Sequence, residues 1–208
     1  LKAVLAIAFL ALLSLLPLAW AQAIGARIGR YMSKNEDSSF YRITQTNISI
    51  AFPELGDGEK KALIAESLIE TGKSLSEMGM AWLWSPKRSL KKIRQVHNES
   101  LITSSLEAGS GVILIAPHLG NWEILNLYLS DRYPFTAMYR PPKLKLLDDL
   151  IKRMRARLGT RMAPADASGV RMVMKALKRK EMVGILPDQE PVTGGEFAPF
   201  FGRAAYTM

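Results

Sequence analysis

Gly111-Val112-Ile113-Leu114-Ile115-Ala116-Pro117-His118-Leu119-Gly120-Asn121-Trp122-Glu123 is the stretch that decides the fold. Its first six residues form a short, uninterrupted apolar run bounded by Gly and Pro, the pattern of a strand buried on both faces of a parallel sheet. His118 then emerges at the carboxyl end of that strand. Five residues along one helix would put His118 and Glu123 on different faces, so His118 is expected just before a helix and Glu123 in its first turn. Gly120 permits the tight entry, and Asn121 has the chemistry of an N-cap. Free imidazole titrates near neutrality, at roughly pH 6.5, and a carboxylate beside it fixes the tautomer and stabilises the imidazolium. The pair His118 and Glu123 therefore reads as a general base and its orienting acid.

Outward from this stretch, short apolar runs alternate with amphipathic segments. The runs are Ile93 to Val96, Val112 to Ala116, Pro134 to Tyr139, Arg161 to Ala165 and Met182 to Leu186, with helices expected up to Ala108, Ser130, Leu158 and Lys180. Such alternation predicts an α/β fold with a mostly parallel or mixed sheet flanked by helices. Upstream, Ser38 to Ile50 and Gly58 to Met80 read as two further helices, and Trp82-Leu83-Trp84 suits either a core or a membrane interface. Ligands of open α/β sheets bind beyond the carboxyl ends of the strands. His118, Arg140 and the Asp188-Gln189-Glu190 cluster each follow one of these runs, so neighbouring strands would bring a base, a cation and carboxylates to one rim.

The chain has 208 residues, 48% of them hydrophobic, and a net charge of +9. It is long enough to bury an ordinary domain core. Cysteine is absent, which removes disulfides, thiolate metal sites and a thiol nucleophile. Between Ile151 and Lys180 stand ten basic residues against Asp166 alone. They suit a solvated helix face, or attraction to anionic lipid headgroups or an acidic carrier protein. No aromatic-studded basic groove accompanies them, so nucleic acid is not expected. His118 and Glu123 are not expected to hold a metal, because H-E-x-x-H is missing and the second histidine, His97, lies in a separate segment.

No charged residue occurs from Ala3 to Ala26, and one helix of that length would reach about 36 Å, more than a hydrocarbon core of about 30 Å. A cleaved signal peptide competes with a retained anchor, through the small residues of Ala19-Trp20-Ala21 and Ala21-Gln22-Ala23. Arg27, Arg30 and Lys34 follow at once and favour a retained transmembrane helix with the rest of the chain on the cytoplasmic side.

Taken together, these blocks resemble the late acyltransferases of lipid A biosynthesis, a branch of the glycerolipid-type acyltransferases with an H-x4-D/E signature. The likeness runs through Asn47-Ile48-Ser49-Ile50-Ala51-Phe52-Pro53-Glu54-Leu55, His118-Leu119-Gly120-Asn121-Trp122-Glu123, Tyr139-Arg140-Pro141, Leu186-Pro187-Asp188-Gln189 and Pro199-Phe200-Phe201-Gly202. It implies an anchor over residues 1–33 and an acyltransferase domain over 34–208 truncated at its C-terminus, since the chain stops at Met208, just past the last block. It also implies a single-pass protein of the bacterial inner membrane. The implied reaction moves a fatty acyl group from an acyl-carrier-protein thioester to a hydroxyl of a lipid A precursor, with no cofactor. His118 and Glu123 would be catalytic, and Gly120, Asn121, Arg140, Asp188 and Gln189 would bind substrate. Alternatives are an acyl-CoA-dependent enzyme acting on a phospholipid or other glycolipid, a hydrolase, and a noncatalytic membrane-anchored basic binding module. No Gly-x-Ser-x-Gly elbow supports an acyl-enzyme.

Overall fold

The structure, a computed structural model, describes residues 2–142, 144–188, 190–191 and 194–207. The chain divides into two compact units, one made of residues 1–9 and 81–189 and the other of residues 10–80 and 190–208.

The first unit holds a four-stranded parallel sheet. Its strands are β1 (Val112–Ile115), β2 (Phe135–Tyr139), β3 (Arg161–Pro164) and β4 (Met182–Ile185), in the order β1-β4-β2-β3. The short helices α5 (Pro86–Leu90) and α6 (Ser100–Glu107) precede β1, and α7 (Trp122–Arg132), α8 (Lys145–Arg155) and α9 (Ala167–Lys178) connect successive strands. Adjacent residues of β4 face opposite layers. Met182 packs with Tyr128, Leu129, Phe135 and Ala137 on one side, and Val183 with Ala163, Val173 and Ala176 of β3 and α9 on the other. β1 departs from the expectation of a strand buried on both faces. It lies at the sheet edge, where Val112 and Leu114 join the first cluster while Ile113 and Ile115 are exposed by 52% and 61%. Ile93 to Val96 is not a strand. Ile93 packs on the core, but Arg94 and Gln95 interrupt the apolar run and no neighbouring strand satisfies its backbone. Trp82 and Trp84 are buried, which settles them as core.

The expected membrane-spanning helix is corrected. Proline has no N–H and its ring crowds the carbonyl four residues back, so Pro17 ends the first helix instead of continuing it. The segment is two helices, α1 (Lys2–Ser14) and α2 (Leu18–Ser33), with Pro17 at the N-cap of the second. At 1.5 Å per residue they reach about 20 and 24 Å, short of the roughly 30 Å of a hydrocarbon core. Among the described residues no helix is long and apolar enough to cross a membrane.

In the second unit α2 lies against α3 (Ser39–Ala51) and α4 (Asp57–Leu83), whose last turn passes into the first unit. A side chain on Gly25 would collide with the backbone of Gly72, and one on Gly72 with that of Gly25, so the two glycines let α2 and α4 touch backbone to backbone. Tyr41, Ile48, Ile64 and Leu68 fill the space beside that crossing. A hairpin of β5 (Glu196–Phe200) and β6 (Arg203–Thr207) completes this unit, and Phe201 at its turn meets the Phe52 ring at 6.0 Å.

One of the basic residues expected on a solvated face points inward. Arg157, in a 3-10 turn after α8, donates to the carbonyls of Trp84 at 2.6 Å and Ala81 at 2.9 Å, at the C-terminal end of α4 where a cation is favoured. Arg157→Ala is expected to cost about 2 kcal/mol by removing both hydrogen bonds, read as a lower denaturant midpoint. An unchanged midpoint would show that water replaces the guanidinium.

Candidate active site

β1 and β4 are paired with Ile115 opposite Ile185, and the ladder runs one residue further through the Ala116 N–H donating to the Ile185 carbonyl at 2.9 Å. Each strand then continues with one residue, a proline and a polar residue: Ala116-Pro117-His118 on one, Leu186-Pro187-Asp188 on the other. Equal offsets from matched positions bring His118 and Asp188 together. Imidazole Nδ1 lies 2.8 Å from one Asp188 oxygen, and the His118 backbone N–H donates to the other at 2.7 Å. Both side chains remain partly open, at 25% and 28% exposure. Burial pushes the Asp188 pKa up, but the hydrogen bonds from the His118 ring and backbone outweigh it, so the net direction is downward. Asp188 is therefore a carboxylate acceptor at neutral pH. A carboxylate at Nδ1 selects the tautomer that carries the proton there and leaves the Nε2 lone pair as the acceptor. The edge of the ring rests on Trp122, with centroids 4.9 Å apart.

The turn into α7 follows from its residues. Gly120 has φ +62° with open space around it, so glycine serves the backbone conformation and not a tight fit. Asn121 caps the helix, its side-chain oxygen accepting from the Ile124 N–H at 3.2 Å. Glu123 lies in the first turn, as its spacing predicts.

The expected pairing of Glu123 with His118 is corrected. Glu123 is 3% exposed and both of its oxygens are taken by Arg155, from Nε at 3.0 Å and from Nη2 at 2.5 Å. The Arg155 guanidinium also lies 5.2 Å from the Tyr139 ring centroid, and the Tyr139 hydroxyl donates to Asp148 at 2.5 Å. A largely buried ion pair thus locks α8 to the first turn of α7, five residues after the histidine. Sequence reasoning missed Arg155, placing it among outward cations. The rim shared by His118 and Asp188 is as expected, but the sequence reading assigns Asp188 to substrate and not to the imidazole, although the matched proline-polar endings of the two apolar runs carry that signal.

Because β4 stands between β1 and β2, Arg140, exposed and one residue beyond β2, belongs to the same carboxyl rim as His118 and Asp188. Gln189 lies outside the described residues. Among the described residues no group of three or more His, Asp and Glu is placed to hold a metal. The arrangement is a partly open imidazole held at Nδ1 by a carboxylate, just before a helix N-terminus whose N–H groups favour developing negative charge.

Comparison with known proteins adds an independent line. The family model described as bacterial lipid A biosynthesis acyltransferase matches residues 1–208. The chain is similar to the lipid A biosynthesis palmitoleoyltransferase of Escherichia coli (strain K12), at 30% identity over 86% of this chain and 57% of that protein. It is similar to a lipid A biosynthesis acyltransferase of Haemophilus influenzae, at 28% identity over 76% of this chain and 50% of the relative. The lipid A biosynthesis lauroyltransferase of Escherichia coli (strain K12) matches at 27% identity over 72% of this chain and 48% of its own length. The chain spans about half the length of the curated relatives it matches.

Proposed function

The chain belongs to the bacterial lipid A biosynthesis acyltransferase family, and from that premise we propose that the intact protein is an O-acyltransferase. It moves a fatty acyl chain from an acyl-carrier-protein thioester to a hydroxyl of a lipid A precursor. The observation that carries this reading is the His118–Asp188 pair at the open carboxyl rim of the sheet.

In the proposed step, Nε2 of His118 takes the proton of the acceptor hydroxyl as its oxygen attacks the thioester carbonyl. Asp188 holds the ring and stabilises the imidazolium. The carbonyl oxygen becomes an oxyanion, facing the N-terminus of α7 at Gly120 and Asn121 or the Arg140 guanidinium. Collapse of the tetrahedral adduct breaks the carbon–sulfur bond, and the imidazolium returns its proton to the leaving thiolate. An ester and a free thiol result, with no change in oxidation state. Glu123 acts one step removed, anchoring the turn that carries His118 through its bond to Arg155. The acceptor is a membrane lipid, so the reaction is placed at the cytoplasmic face of the bacterial inner membrane, without any spanning helix being required of this chain.

The test is to express the intact protein in cells lacking a late acyltransferase and to weigh their lipid A. The expected result is a mass gain of one fatty acyl group. Unchanged lipid A from cells that contain the folded protein overturns the proposal. Supplying the purified intact protein with acyl-carrier-protein and CoA thioesters in parallel assigns the donor, and the carrier-protein thioester is expected to be the faster.

A further inference from the structure

At the other end of α7 from His118, the first unit has a cleft of about 750 Å3, within the usual range for small-molecule sites. Eleven helical residues separate the two ends by about 16 Å, and neither His118 nor Asp188 lines the cleft. Leu90, Ile93, Val96 and Leu158 give it apolar lining. Its lining also carries the cations Lys87, Lys91, Arg94 and Arg132, with Asp131 the acid among its lining residues.

These cations are not equivalent. Arg132 is held by Glu99 and Asp131, each at 3.3 Å, with its guanidinium 4.1 Å from the Tyr128 ring centroid. The side chains of Lys87, Lys91 and Arg94 make no ion pair among the described residues, although all three are exposed around one concavity. Like charges gathered without counter-ions repel, so the arrangement favours an anion that enters between them.

The walls narrow the class of that anion. The aromatic rings at the cleft offer no open face on which a base could stack: Tyr128 is 7% exposed and covered by Arg132, and the nearby Trp84 ring is covered by Arg88 at 3.6 Å. Bare phosphate would leave the apolar side unused. Lysine ammonium groups and the arginine fork match phosphate oxygens, while apolar walls match hydrocarbon. We propose that this cleft is a second binding site, for an anionic amphiphile whose phosphate sits among Lys87, Lys91 and Arg94 and whose chain lies along Leu90, Ile93 and Val96. It is separate from the reaction proposed above and does not depend on it.

Isothermal titration of the full chain with dihexanoyl phosphatidic acid below its micellar concentration tests this. Saturable one-to-one binding is expected, at least tenfold tighter than for inorganic phosphate or for dihexanoyl phosphatidylcholine. The double variant Lys91→Ser, Arg94→Ser changes only exposed side chains and is expected to weaken binding at least tenfold, with an unaltered circular-dichroism spectrum. His118→Ala is expected to bind as the wild type does. The proposal is overturned by absence of saturable binding, by inorganic phosphate binding equally well, by an unaffected double variant, or by loss of binding in His118→Ala, which would move the ligand to the other end of the helix.

Discussion

Replacing His118 by alanine in the intact protein is expected to lower acyl transfer by a factor of about 10² to 10⁴, the range a positioned general base contributes. The imidazole is partly open and the backbone N–H to Asp188 survives the substitution, so the fold should be untouched. Loss of the acylated product in lipid A mass spectra, with an unchanged melting temperature, is the expected outcome. Asp188→Asn should come close to the same loss. An amide at that position can present its own N–H to Nδ1 and so stabilise the wrong tautomer, and it cannot balance the imidazolium. If Asp188→Asn turns over as the wild type does while Glu123→Gln does not, the roles of the two acids in the proposal are reversed.

The second large effect concerns stability. Arg155→Met leaves the Glu123 carboxylate buried without its partner, and breaking a pair of this kind costs about 3–5 kcal/mol. In a chain of this size that corresponds to a fall in Tm on the order of 10 °C. Glu123 is almost fully enclosed and Arg155 is 16% exposed, so solvent cannot replace the lost bonds. The double variant Glu123→Leu, Arg155→Met should recover most of the loss, because well-packed apolar residues often match a buried ion pair. It should also retain measurable transfer, since Glu123 is proposed to position the turn and not to touch the substrate. A single Arg155→Met variant that melts with the wild type would show that the pair is not a structural clamp.

The sequence made the local chemistry of the site readable. Gly120 before an Asn121 cap, a histidine following an apolar run, and Glu123 in the first turn all depend on neighbours within a few residues. What escaped it was long-range. Arg155 lies 32 residues from Glu123 and carries the composition of a solvated face, so nothing local distinguishes it from Lys152 or Arg153. Only packing selects the cation that turns inward. Asp188, 70 residues from His118, is expected on the same rim, but that it and not Glu123 reaches the ring follows from β1 and β4 being direct neighbours, a property of the whole sheet. The N-terminal segment failed for a different reason. Its missing charges fit a span, but one pyrrolidine ring at Pro17 outweighs composition in determining where the helix stops.

β1 hydrogen-bonds to β4 alone among the described residues, and β4 carries Asp188. The proposed base therefore depends on a single ladder: β4 stays paired to β2 and keeps the carboxylate in the sheet, but no second seam holds β1 if the first opens. Breathing of the sheet as a body leaves their spacing intact, whereas fraying of this outermost seam parts them at once. Activity and the integrity of one edge are coupled in a single cooperative unit, so conditions that loosen the margin of the sheet will silence the site before the core melts.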